Sequence, residues 1–219
     1  MAKTICIMGE SGAGKTTCMR TLDPRTTFYI DADKKGLSWK GWRDNYNTQN
    51  RNYLRSSDKA LIASTLAKIG DEVIPDKDYA HIKTVVVDTI NGIMIDDEFR
   101  RMGEKTYDKW ADLAAAVYSM ITDCYFYRDD LTVIFIAHTQ TERDETGFSF
   151  TRVKTSGRKL DKIVLESKFT TVLLAKCVNG RYLLETRANN STAKSPMGAF
   201  ESFEIENDAK TIVKALEDY

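Results

Sequence analysis

Short apolar runs that end in a glycine, a carboxylate or a histidine recur along the chain, separated by stretches with helical spacing. The first, Thr4-Ile5-Cys6-Ile7-Met8, stops at Gly9 and reads as a buried strand. Residues 27–30 form a second, closed by Asp31-Ala32-Asp33. Residues 82–87 form a β-branched third, ending in Asp88. Residues 131–137 make a fourth, which stops at His138. Between these runs, residues 15–21 begin a helix halted by Asp23-Pro24. Apolar positions at Leu61, Ile62, Leu66 and Ile69 predict a helix over residues 57–73. Leu113, Val117, Met120, Ile121 and Cys124 predict another over 108–128. A helix near 160–166, strands at 170–176 and 182–186 joined by a tight Asn179-Gly180 turn, and a helix over 208–217 complete the pattern. Residues 36–55 are polar and aromatic with weak periodicity, and no element is assigned to them.

Strands alternating with helices imply βαβ units and a mostly parallel sheet, to which the C-terminal hairpin adds an antiparallel edge. No repeat, proline-rich linker or low-complexity segment interrupts the 219 residues, so one α/β domain over 1–219 is expected. The 32 basic and 32 acidic residues cancel. That balance argues against a basic nucleic-acid coat protein but leaves room for a local basic groove. Cys6, Cys18, Cys124 and Cys177 form no CxxC pair and read as buried free thiols of a reducing compartment. With no long apolar run and no cleavable signal pattern, the expected location is cytoplasmic, without a membrane partner.

Candidate chemistry begins at Gly9-Glu10-Ser11-Gly12-Ala13-Gly14-Lys15-Thr16, which fits GxxxxGK[ST] at every fixed position and is followed by Thr17. Glycines let such a loop wrap so that its N–H groups meet phosphate oxygens, and the following helix start adds positive potential. Lys15 would reach the outer phosphates and the Thr16 hydroxyl would ligate magnesium, so the motif predicts ATP and Mg2+ as ligands. Asp88, at the end of an apolar strand, is placed to hold that magnesium. Alternatively, Asp88 or Thr89 caps the next helix, and the two roles are compatible. Asp33 lies where a carboxylate could reach the attacking water, with Asp31 capping the turn, although acids after a strand also occur in solvated turns. His138 ends its strand where a polar residue can sense the γ-phosphate, or it is a satisfied structural histidine.

This order of phosphate loop, Ile30-Asp31-Ala32-Asp33, Val85-Val86-Val87-Asp88, Ala137-His138-Thr139-Gln140 and C-terminal hairpin resembles the RecA/RadA-type recombinase ATPase core. The resemblance spans most of residues 1–205. It implies a RecA-like, mostly parallel P-loop sheet flanked by helices, and places Asp33 where that family has its water-activating glutamate. The first strand begins at residue 3, so the likeness is to core-only RecA-like annealing proteins encoded by bacteriophages, acting in a host cytoplasm. It implies ATP hydrolysis, single-stranded DNA as partner in strand annealing or recombination, assembly into a ring or filament, and a single-strand-binding protein alongside. It implies also that basic residues after the last hairpin, Lys194 above Arg187, reach a neighbouring subunit's γ-phosphate.

Family members bind single strands through loops after the third and fourth strands. The corresponding positions here are Arg100 and Arg101, and then Phe148, Phe150, Arg152, Lys154 and Arg158 in residues 141–159, where aromatics interleave with cations. The second stretch reads equally as a solvated hairpin. Trp39, Trp42 and Tyr46 read as packing residues. A small-molecule or nucleotide kinase and a nucleotide-switched binding module are the competing functions.

Overall fold

The computed structural model describes residues 1–71, 76–104, 108–156 and 164–219, without the side chains of 108–111. Among these residues one sheet of nine strands runs through the molecule: β1 (Lys3–Gly9), β2 (Thr27–Asp31), β3 (Tyr53–Leu54), β4 (Thr84–Asp88), β5 (Thr132–Arg143), β6 (Ser149–Val153), β7 (Thr171–Val178), β8 (Arg181–Glu185) and β9 (Glu204–Glu206). The order is β3-β2-β4-β5-β1-β7-β8-β9. The first six strands in that order are mutually parallel; β8 and β9 each pair antiparallel with their neighbour. This is the α/β, mostly parallel sheet with a C-terminal antiparallel hairpin that the strand pattern predicts.

In sequence, the acid-tipped β2 lies between the phosphate loop and Asp88. In the sheet it is β5 that separates β1 from β4, while β2 lies beyond β4. The register Gly9↔His138 therefore sets His138 directly beside the start of the phosphate loop.

Helices cover both faces, which is why the central strands read as near-continuous apolar runs. On one face, Cys6, Met8, Val85, Val87, Val133 and Phe135 pack beneath α3 (Lys59–Gly70), α4 (Ile90–Arg100) and α5 (Asp108–Thr122). On the other, Ile5, Ile7, Tyr29, Val86, Ile134 and Ile136 pack against α1 (Lys15–Cys18), its 3-10 continuation Met19–Thr21, and α6 (Ala209–Ala215). Strand alternation decides this partition, since neighbouring residues leave opposite faces of the sheet.

Three helices start at side-chain caps: Asp58 accepts from Leu61 N, Thr89 from Gly92 N and Asp208 from Thr211 N. Several predicted elements differ in extent: the helix over 15–21 is α-helical only to Cys18, and that over 57–73 is seen as Lys59–Gly70. The helix over 108–128 becomes a 3-10 turn at Asp123–Phe126, and β5 continues five residues beyond His138 to pair with β6. The helix near 160–166 falls partly outside the described residues, and Leu165–Lys168 is a single 3-10 turn. In the unassigned 36–55 segment, α2 (Trp42–Asn45) and β3 form a cover in which Trp39 and Tyr46 pack edge-on against Tyr29. Of the four cysteines, Cys6, Cys18 and Cys124 are buried as expected, but Cys177 is exposed. Among the described residues no helix is long and apolar enough to cross a membrane.

Candidate functional site

The loop from Glu10 to Gly14 rounds the end of β1 with Gly12 and Gly14 at φ +83° and +85°, a region that L side chains rarely adopt. At Gly14 a Cβ would also lie 2.7 Å from the half-exposed Tyr182 ring, which would have to shift. Glu10, Ser11 and Gly12 face solvent, Ala13 anchors the loop in the core, and Thr17 meets the Ser38 hydroxyl at 2.8 Å. Lys15 is buried, and its ammonium donates to the carbonyls of Gly9 and Glu10 at 2.8 and 2.7 Å. Burial lowers its pKa to about 8, against the pull of the nearby Asp88 carboxylate.

Asp88 leaves β4 on the α1 face of the sheet. Its Oδ2 accepts from the Thr16 and Tyr29 hydroxyls, both at 2.7 Å, while Oδ1 is buried with no hydrogen-bond partner among the described residues. Burial raises the Asp88 pKa, and the hydrogen bonds from Tyr29 and Thr16 oppose that rise. An orphaned buried carboxylate oxygen is costly, and a hard cation would compensate it. Because the Thr16 hydroxyl gives its proton to Asp88, its lone pairs remain for a metal. No group of three or more His, Cys, Asp or Glu side chains that could hold a metal occurs among the described residues. One carboxylate, one hydroxyl and substrate phosphates nevertheless suit magnesium, which seldom uses an all-protein cage. The residues present fit the ion. The helix cap is Thr89, so the Asp88 side chain is left for the site.

Asp31 and Asp33 separate cleanly. Asp31 is buried and accepts from Gly36 N and the Tyr53 hydroxyl, holding the turn after β2. Asp33 reaches the site: its Oδ1 accepts from Thr89 Oγ1 at 2.9 Å, and its Oδ2 pairs with Lys35 Nζ at 2.6 Å. Lys15, Thr16, Lys35, Thr89 and His138 line one cavity of about 280 Å³, together with Ser38 and Tyr182. His138 is half-buried, and burial together with the Lys15 charge lowers its pKa, which favours the neutral imidazole. Its backbone N–H donates to Asn91 Oδ1 at 2.7 Å, and Asn91 Nδ2 donates to Lys154 O at 2.8 Å. One buried amide thus ties β5 at His138 to the chain leaving the β5–β6 hairpin.

The residues expected to meet DNA are placed unevenly. Phe148, at the hairpin tip, is half exposed, Phe150 is partly buried, and Lys154 is exposed. Arg152 corrects the picture of a groove cation: it is buried and faces Glu142 at 3.3 Å and Glu166 at 3.9 Å. Arg100 pairs with Asp58 and Asp96, and Arg101 with Asp97, Glu104 and Asp112. Arg158 lies outside the described residues. Lys194 bridges to Val172, three residues before the Ala175 that abuts Gly9, so it sits back from the phosphate loop of its own chain.

Tyr29, Lys35, Asn91, Gly92 and Tyr182 join the site without having been singled out by motif, and Thr89, expected only as a helix cap, joins it through Asp33. Each is brought in by register or by a turn; the one local signal is the polar alternation of Tyr29 within an apolar strand. A family model described as AAA domain matches residues 1–197 of the chain. No curated protein matches it.

Proposed function

The chain belongs to the AAA domain family, and we propose that it is a magnesium-dependent ATPase acting on single-stranded DNA in RecA-like strand annealing. As a member of that family it has a P-loop ATPase domain, fitted for nucleotide binding and hydrolysis. The observation that supports the magnesium-ATP reading is Asp88, with one oxygen bonded to Thr16 and Tyr29 and the other buried without a partner.

In this reading the loop backbone and Lys15 hold the β- and γ-phosphates, and Thr16 and Asp88 hold magnesium, which neutralises charge on the phosphates. Asp33 accepts a proton from the attacking water as its oxygen bonds to the γ-phosphorus. The bond from that phosphorus to the bridging oxygen breaks, and its electron pair stays on ADP. Neutral His138 orients a γ-phosphate oxygen and relays its presence along β5.

Support for DNA as effector is the unbroken course of β5 from His138 into a hairpin with an exposed aromatic and cation, Phe148 and Lys154. Assembly into a ring or filament, with Lys194 serving a neighbour, belongs to the same proposal, as do a phage origin and a single-strand-binding protein nearby. A nucleotide-switched binding module is the second reading, favoured by the engagement of both Asp33 oxygens by Thr89 and Lys35.

The test is ATP hydrolysis with and without single-stranded DNA, with Lys15→Ala as the blank. DNA-stimulated turnover that disappears in the variant is expected. Turnover indifferent to DNA overturns the DNA reading. Turnover that requires an added small-molecule acceptor points to a kinase, and tight ATP binding with negligible turnover points to the switch.

A further inference from the structure

We propose that Lys35 is a positioning residue that exchanges partners, holding the Asp33 carboxylate until the γ-phosphate of bound ATP draws its ammonium away. The inference rests on the ATPase reading and concerns how that site is regulated.

Three features support it. First, Lys35 Nζ lies 2.6 Å from Asp33 Oδ2, with Thr89 on Oδ1, so both carboxylate oxygens are engaged. With Thr89 on one oxygen and Lys35 on the other, the carboxylate is held in a fixed orientation and is not free to turn toward a water. Second, Lys35 lines the same cavity as Lys15 and Thr16, so two ammonium charges repel across one space. A γ-phosphate brought between the two ammonium groups relieves that repulsion and offers more negative charge than one carboxylate.

Third, the backbone around Lys35 is fixed while its side chain is not. Asp31 holds Gly36 N, the Lys34 ammonium meets Asp96, and the Lys34 carbonyl accepts from Arg55. The Lys35 side chain is 53% exposed, so a change of rotamer suffices for the exchange. The Asp33 end is only 17% exposed, so the pair is partly shielded from water, and it is the larger charge of the γ-phosphate that outcompetes it. Asp33 itself stays in place, because Thr89 holds Oδ1 and a Gly92 Cβ would lie only 2.4 Å from that atom. ADP lacks the γ-phosphate and leaves Lys35 on Asp33, so only the triphosphate frees the carboxylate.

The experiment is calorimetric titration of wild type, Lys35→Ala, Asp33→Asn and the double variant with magnesium and either ADP or an imido-bridged, non-hydrolysable ATP analogue. Lys35→Ala should weaken the analogue about tenfold while ADP affinity holds within about twofold, which also shows that the variant folds. Asp33→Asn removes the competitor and should tighten the analogue by roughly threefold, a gain absent from the double variant. Equal losses for analogue and ADP, no loss in Lys35→Ala, or an Asp33→Asn gain that survives removal of Lys35 would each overturn the exchange while leaving the ATPase reading standing. Wild type that binds neither nucleotide would overturn both.

Discussion

The Tyr29 hydroxyl donates to Asp88 Oδ2 at 2.7 Å from the adjacent strand of the sheet, beneath the phosphate loop. It shares that oxygen with Thr16, so a core aromatic and a loop hydroxyl jointly orient the carboxylate. Tyr29→Phe leaves the ring packing on Trp39 and Tyr46 but deletes a hydrogen bond to a buried charge. Thermal denaturation should show a loss of roughly 2 kcal/mol, and the magnesium concentration needed for half-maximal turnover should rise. An unchanged magnesium requirement would mean that Tyr29 acts on stability alone.

Asp88→Asn should separate stability from activity. Burial holds the Asp88 carboxyl above its ordinary 3.8, so the folded chain binds that proton more tightly than the unfolded chain. Stability from this group is therefore present at low pH and is lost as pH rises through the window above 3.8. The amide removes the buried charge and should raise stability near neutral pH by about 1 kcal/mol, a gain that shrinks on acidification, while magnesium-dependent turnover is lost. A variant less stable than wild type at every pH would contradict this account.

Lys15 makes nucleotide affinity pH-dependent. Its pKa near 8 means that the ammonium is lost just above neutrality, whereas a solvated lysine would stay charged. The Kd for magnesium-ADP should weaken as pH rises beyond about 8, by up to roughly tenfold per unit. Lys15→Arg should flatten the profile wherever it still binds, because a guanidinium does not titrate in this range. A flat wild-type profile would show that Lys15 already keeps its proton in the nucleotide-free chain over this range.

Gly92 sits where the first turn of α4 crosses Asp33, and a Cβ there meets Asp33 Oδ1 at 2.4 Å and Ala32 O at 3.0 Å. Gly92→Ala should displace the carboxylate at a cost of about 1–3 kcal/mol in stability. Turnover should fall at least about tenfold with ADP affinity nearly unchanged, since a misplaced base affects chemistry before binding. Equal loss of both would place Gly92 among residues that shape the nucleotide pocket.

What the sequence makes legible is the carboxyl edge of the sheet. Gly9, Asp33, Asp88 and His138 each end or follow an apolar run, and in a parallel sheet such ends collect on one edge. Their partners are not legible in the same way. Lys35 looks like a surface lysine until the turn bonds of Asp31 bring it over the cavity, and Tyr182 meets Gly14 only through the β7–β8 pairing. The 36–55 segment lacks periodicity because Trp39 and Tyr46 pack on a tertiary partner, Tyr29, instead of presenting one helical face. Arg152 resembled a groove cation because Phe148, Phe150 and Lys154 share its strand parity. The carboxylates that face it come from β5 and from Glu166, which lies well beyond the hairpin in the chain.

That contrast within the hairpin gives the sharpest test of its role. Phe148 and Lys154 are exposed, whereas Arg152 is buried against Glu142 and the almost fully buried Glu166. Phe148→Ala with Lys154→Ala should leave the melting temperature within a degree or two and weaken single-stranded DNA binding. The loss combines about 1–3 kcal/mol of stacking with a salt-dependence slope reduced by roughly one. Arg152→Ala should instead lower stability by about 3 kcal/mol, since it takes a cation from the buried Glu166, whose Oε1 is left with its hydrogen bonds from Val153 N and Thr192 Oγ1, and should affect DNA only as far as the hairpin loosens. If the exposed pair can be removed without changing DNA affinity or ATPase stimulation, the hairpin is not the DNA-contacting element. Because Asn91 couples its base to His138, a hairpin that does contact DNA should lose stimulation in Asn91→Ala while keeping most of its DNA affinity.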